Sequence, residues 1–319
     1  MSERPSQTGK DVWLISPAGQ ERQLTSTPDD EFPATVARDG SGVIVVAVRE
    51  VDGLHREELR WVDDRGQVTL LGKPSGRARN PSLAPDGTWL VAESDAEGFS
   101  DLVRIARGPG ASSTAVVRLT ATPEGDFEPS VSPDGKSIAF VSSRTGNPEI
   151  HVMDADGGNV RQLTAFHKED WAPVWSRDGQ WIAFLSTREG RARVFVVRRD
   201  GTDMRPVSGA ATAPDGEERD IAWHPDSQRL AFVARQPDGR TRIWLASMDG
   251  KEPVTLTDGQ KRDDQPAWSP DGKYLVFVSE QAANDGTPGD SELFLMRADG
   301  SARTQLTHSP GADWLPRWR

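Results

Sequence analysis

Cysteine is absent from the 319 residues, which excludes disulfides, thiolate metal sites and a cysteine nucleophile. The absence leaves the redox compartment open. No apolar run approaches the roughly 18 residues of a membrane-spanning helix, so membrane insertion is not expected. The opening residues MSERPSQTGK contain no signal-peptide core. Positive charge is in deficit: 38 Lys and Arg stand against 49 Asp and Glu, a formal net charge of −11. Nucleic acid and anionic membrane both require a basic face, so neither is an expected partner. The five histidines form no pair at metal-ligand spacing. There is no G-x-S-x-G elbow and no P-loop or dinucleotide-type glycine loop.

Turn chemistry and repetition are what the chain has in quantity, with 23 Pro and 30 Gly. The stretch from Ser132, SPDGKSIAFVSSRTGNPEIHVMDADGGNVRQLT, returns from Ser269 as SPDGKYLVFVSEQAANDGTPGDSELFLMRADGSARTQLT. Each copy divides into four short apolar runs, A to D, separated by Asp-Gly or related turns. Gly tolerates positive φ and Asp bonds its own backbone, so the pattern reads as antiparallel hairpins. The first turn recurs about every 45 residues, at Asp39, Asp86, Asp134, Asp178, Asp226 and Asp271.

Six complete units result, and the ends hold parts of one more. DVWLISPAGQERQLT, from Asp11 to Thr25, is a C–D pair, and DWLPRW, from Asp313 to Trp318, is a lone A strand. Four-stranded units repeated radially, with one unit shared between the termini, predict an all-β fold, a β-propeller. The expected domain spans 11–319, with 1–10 set apart as a polar N-terminal segment and a candidate for disorder. Seven blades are predicted, six complete and one closed between the N- and C-termini; the alternative is six. The split unit has no evident B strand, because MSERP is polar and carries a proline. Either that blade is incomplete, or its strand lies upstream, or a partner provides it.

The best-formed units, DFEPSVSPDGKSIAFVSSRTG, DWAPVWSRDGQWIAFLSTREG and DDQPAWSPDGKYLVFVSE, resemble the TolB-type propeller repeat. The resemblance covers nearly the whole chain and is specific for fold rather than function. Propellers of this type occur in periplasmic TolB proteins of the Tol–Pal envelope system, in gating domains of prolyl-oligopeptidase-like peptidases, and in oligogalacturonate lyases. TolB itself resembles a smaller N-terminal domain followed by six blades, a domain not seen in this chain. What the resemblance implies is a monomeric, non-enzymatic scaffold for a protein or peptide partner, periplasmic or in the cell envelope. The alternatives are a metal-assisted lyase or hydrolase acting on carbohydrate through a central-channel site, or a gating domain cut from a larger peptidase.

Three residues before the usual strand-A proline stands an acid: Glu31, Asp126, Asp170, Glu218, Asp263 and Asp313. Strand A is innermost in a propeller, so these should surround one channel mouth. A cation such as Ca²⁺ or Mg²⁺ would relieve their repulsion; a cationic segment of a partner would do the same. Alternatively, each accepts hydrogen bonds within its own loop. One residue before the proline, Glu128, Asp220 and Gln265 are polar candidates for lining that channel and contacting a ligand. Trp175, Trp223, Trp268 and Trp318 share one strand-A position, which favours packing between blades. Trp171 and Trp314, each directly after the acid, are the candidates for an exposed aromatic contact.

Overall fold

A computed structural model describes residues 9–72, 76–108, 115–208, 212, 216–282, 288–308 and 311–318. Six four-stranded antiparallel sheets follow one another along the chain. We number them blades I to VI, over 30–70, 78–118, 126–162, 170–206, 218–255 and 263–305. In blade III strand A is Asp126–Val131, B is Ser137–Ser142, C is Glu149–Asp154 and D is Arg161–Gln162. All-β architecture, four-stranded blades and the A-to-D order are therefore as the repeats predict.

The sequence of each strand reflects its depth in the blade. Strand B lies between A and C and is covered by neighbouring blades on both faces. It therefore reads as a continuous apolar run, and every residue of SIAFVS and of WIAFLS is buried. Its phenylalanine recurs at Phe140, Phe184, Phe232 and Phe277, all fully buried; each such side chain contributes roughly 1.5–3 kcal/mol of burial. Strand D is two or three residues long and exposed in most blades. A strands of successive blades touch one another, which places them on the axis.

The A–B turns repeat in atomic detail. Ser132 Oγ donates to Asp134 Oδ1 at 2.5 Å, and the Lys136 amide donates to the same oxygen at 3.0 Å. Gly135 takes the left-handed conformation at φ 69 that the turn requires. Ser176 with Asp178, and Ser269 with Asp271, rebuild the same cap.

Between blades VI and I stands an incomplete unit. Its sheet has two strands, β1 (Trp13–Ile15) and β2 (Glu21–Gln23). The Val12 amide donates to Thr25 Oγ1 at 2.9 Å, as the Ile150 amide does to Thr164 Oγ1 in strand C of blade III. β1 is thus a C strand and β2 a D strand. Ile15, Trp314 and Trp318 pack against Val276, Val278, Leu293 and Leu306 of blade VI in one cluster. The chain therefore forms six complete blades, the alternative count. The position expected for a seventh holds C and D from one end of the chain and an A segment from the other. The expected filler MSERP lies outside the described residues.

Candidate functional site

An acid opens strand A in blades III to VI and stands second in that of blade I, opposite strand B: Asp126 pairs with Ser142, Asp170 with Ser186 and Asp263 with Ser279. All six predicted carboxylates are buried, with Glu31, Asp126, Asp170 and Asp263 at 0 % exposure. Five of them face an arginine. Arg144 donates to Asp126 at 3.0 Å, Arg188 to Asp170 at 2.7 Å, Arg303 to Asp263 at 3.1 Å, Arg60 to Glu31 at 2.8 Å and Arg193 to Glu218 at 3.1 Å.

In blades III, IV and VI the arginine also donates to the strand-B serine, at 2.7–2.8 Å to Ser142, Ser186 and Ser279. Its guanidinium lies over Phe140 at 5.5 Å, over Phe195 at 4.6 Å and over Phe294 at 4.6 Å respectively. Arg144 and Arg188 come from the B–C loop but Arg303 comes from the start of strand D, so chain position differs while the cluster is the same. Burial raises the Asp170 carboxyl above its ordinary range, against the pull of Ser186 and Arg188. Among the described residues no group of three or more His, Cys, Asp or Glu side chains is placed to hold a metal ion. The carboxylates are distributed singly, one in each of blades I and III to VI and one in the closing unit.

The next residues but one along strand A are what circle the axis. Asn80, Glu128, Ala172, Asp220, Gln265 and Leu315 all have positive φ, between 48 and 54. A bulge sits at this point in blades II to VI. Left-handed backbone in non-glycine residues costs free energy and is held here by bonds between blades. The Ala172 amide donates to Glu128 Oε2 at 2.7 Å, the Gln265 amide to Asp220 Oδ2 at 3.2 Å, and the Leu315 amide to Gln265 Oε1 at 2.6 Å. The Glu128 amide donates to Glu93 Oε1 at 2.7 Å. Three residues predicted to contact a ligand, Glu128, Asp220 and Gln265, are therefore rungs joining one blade to the next.

Two of these rungs place a carboxyl group at the mouth. Burial pushes the Glu128 carboxyl up, with the nearby Glu93 carboxylate adding to the rise. Burial likewise raises Asp220, while Arg219 opposes it. Among the described residues no lysine or arginine forms an ion pair with Glu128. Trp171 packs between the clusters of blades III–IV and IV–V. Trp314 is half-buried with the Lys10 ammonium 4.9 Å from its ring. The four recurrent tryptophans each donate an indole N–H to a strand-A carbonyl of the preceding blade: Trp175 to Ser130, Trp223 to Val174, Trp268 to Ala222 and Trp318 to Ala267, at 2.8–3.1 Å.

His151 and His224 are buried, one bonded to the Glu149 carbonyl and the other to the Gly272 carbonyl. Sequence reasoning missed the arginine clusters; the signal for two of them is an arginine two residues after the strand-B serine, in SSRTG and STREG.

Comparison with known proteins agrees with this architecture. Residues 112–218 match the family model described as the TolB beta propeller domain, and residues 194–287 match the Lipoprotein LpqB beta-propeller domain. An uncharacterized peptidase, YuxL of Bacillus subtilis, is 31% identical over 105 residues, 31% of this chain and 15% of that protein. Matches to curated relatives span only 15–36% of those proteins' own lengths. The structure of putative TolB from Agrobacterium tumefaciens is 20% identical, with a TM-score of 0.60 over 89% of this chain and 96% of that one. An oligogalacturonate lyase in complex with manganese is 17% identical, with a TM-score of 0.69 over 93% and 85%. At these identities the structures share a fold with the chain. The protein is a β-propeller, and its central repeats are similar to those of TolB-type propellers.

Proposed function

We propose that the protein is a binding scaffold whose channel mouth, at the start of the A strands, receives a cationic segment of a protein or peptide. The observation that carries this reading is Glu128: a half-buried carboxylate on the axis, beside the Glu93 carboxylate, with a backbone amide as its recorded partner. A lysine or arginine side chain entering there would stabilise a charge that burial disfavours. Asp220 is a second half-buried carboxyl at the mouth, with Arg219 at 3.5 Å and the guanidinium of Arg317 within its electrostatic reach.

The net charge of −11 would draw a basic partner towards the protein. An enzymatic role through a metal finds less support, because five of the six acids that could serve as ligands already face an arginine. The likeness to TolB proteins supports the same reading at the level of fold.

Titration with a lysine- and arginine-containing peptide library tests the proposal. Binding should weaken with added salt and fall several-fold in Glu128→Gln and in Asp220→Asn. A peptide that binds both variants as well as the parent protein would place the docking surface elsewhere.

A further inference from the structure

The channel has a second mouth, at the end of the A strands, and its residues are unlike those of the first. A cavity of about 380 Å³ opens there, within the size range of small-molecule sites. Its walls come from blades I, III, IV, V and VI and from the C-terminal segment, which sets it on the axis. Trp175, Trp223, Trp268 and Trp318 all contribute, and Trp223 and Trp318 are half-buried, with ring surface left uncovered. The four indole N–H groups already donate to strand-A carbonyls. What the rings present to the cavity is therefore hydrocarbon.

The rim is set by the residue directly before each turn aspartate. It is Pro85, Pro133, Pro225 and Pro270 in blades II, III, V and VI, but Arg38 in blade I and Arg177 in blade IV. Both arginines line the cavity and both are exposed. Arg38 reaches across to blade III, where its guanidinium donates to the Pro133 carbonyl at 3.2 Å. That bond holds it at the rim with other N–H groups to spare.

Among the described residues neither arginine forms an ion pair. The turn aspartates beside them are engaged within their own turns. Asp39 accepts from the Ser41 amide at 2.9 Å, and Asp178 from the Ser176 hydroxyl at 2.6 Å and the Gln180 amide at 3.0 Å. Burial and then the charge of Arg177 hold the Arg38 guanidinium below its ordinary value, so the two cations lie near enough to repel. An anion between them would relieve that repulsion.

We propose that this mouth binds a small organic carboxylate, with the charged group between Arg38 and Arg177 and an apolar body against the indole floor. The planar guanidinium fork matches a carboxylate in shape and charge. The floor favours an aromatic or aliphatic body over a sugar, whose hydroxyls would lose water there without gaining partners. The inference is independent of the cationic segment proposed for the acidic mouth, which lies at the other end of the A strands.

Calorimetric titration with naphthalene-2-carboxylate tests it. Saturable binding at one site per chain is expected, weakening as salt rises. Arg38→Gln and Arg177→Gln should each weaken it about tenfold, the loss expected for hydrogen bonds to a charged group. Arg177 makes no hydrogen bond among the described residues, so its variant should melt with the parent protein and isolates the charge. Arg240→Gln removes an exposed arginine of the blade V B–C loop, paired with Asp238, and should bind as the parent does. Naphthalene-2-carboxamide lacks the anion and acetate lacks the apolar body; each should bind more weakly by about tenfold or more. Absence of naphthalene-2-carboxylate binding would overturn the proposal, as would equal binding of the amide or of acetate. So would undiminished binding by both arginine variants, or an equal loss in Arg240→Gln. Phenyl phosphate binding where the carboxylate does not would assign the two arginines to a phosphate and also overturn it.

Discussion

The indole N–H of Trp318 donates to the Ala267 carbonyl at 2.8 Å, the bond that Trp268 makes to Ala222 one blade earlier. The last six described residues therefore sit in the register of a strand A although among the described residues no strand B pairs with them. Ring closure rests on this contact, on the packing of Ile15 and Trp314 against blade VI, and on the Arg317 side chain, which donates to the Ala34 carbonyl of blade I at 3.1 Å.

Trp318→Phe should keep most of the apolar contact and lose the bond, at a cost of about 0.5–1.5 kcal/mol. Trp175→Phe should cost more, up to about 3 kcal/mol, because it leaves the Ser130 carbonyl unsatisfied beneath a more deeply buried ring. Urea unfolding of both variants measures the difference. Equal losses would mean that the closing unit is as tightly packed as a complete blade.

The arginine clusters give the second prediction. Asp170 is fully buried and Arg188 nearly so, with 16% of the arginine side chain exposed. Arg188→Met would leave the carboxylate buried and unpaired, a loss of about 3–5 kcal/mol. Asp170→Asn should be milder, since the amide oxygen can still accept from Arg188. If the clusters occupy the carboxylates fully, millimolar Ca²⁺ will not raise the melting temperature of the parent protein. A clear Ca²⁺-dependent rise that Asp170→Asn abolishes would contradict that account.

The propeller could be read from the sequence because its signals are local. Asp-Gly turns and continuous apolar runs such as SIAFVS depend on neighbours within a hairpin, and the phase offset of the ends is a counting argument. What a carboxylate touches is not local in that sense. Asp126 and Asp170 meet arginines eighteen residues away, while Asp263 meets one forty residues away. The residues of the positive-φ bulge, among them Asn, Glu, Ala and Leu, share no side-chain property at all. Their common feature is a left-handed backbone, with the amides of Glu128, Ala172, Gln265 and Leu315 donating to the preceding blade, which no composition reveals. For the same reason Glu128, Asp220 and Gln265 stood out in the sequence as polar, but their role in joining blades did not.

That ladder is broken at one rung, which yields a stabilising substitution. Ala172 donates through its amide to Glu128 but has no side-chain acceptor to offer the Asp220 amide in the next blade. Gln265, in the same conformation, accepts from Leu315 at 2.6 Å. Ala172→Gln should therefore add one hydrogen bond between blades, worth about 0.5–1.5 kcal/mol. The urea midpoint should rise without a change in slope. A fall in the midpoint would show that the channel has no room for the longer side chain.

The closing unit should also make stability depend on pH. The Glu292 carboxyl lies in strand C of blade VI, where burial and the neighbouring Asp313 and Asp290 push it up to about 7; a hydrogen bond from Thr307 opposes the rise. Asp313 also shares a side-chain hydrogen bond with Glu292, which is possible only if a proton lies between them. A carboxyl whose folded value lies above its unfolded value of 4.5 binds its proton more tightly in the folded state. Its stabilising contribution is therefore complete below that unfolded value and is lost as pH rises through about 7. The melting temperature, followed from pH 5 to 8, should carry a falling component that Glu292→Gln removes, because the amide supplies the donor at every pH. A profile of unchanged slope in that variant would mean that Glu292 and Asp313 do not share the proton.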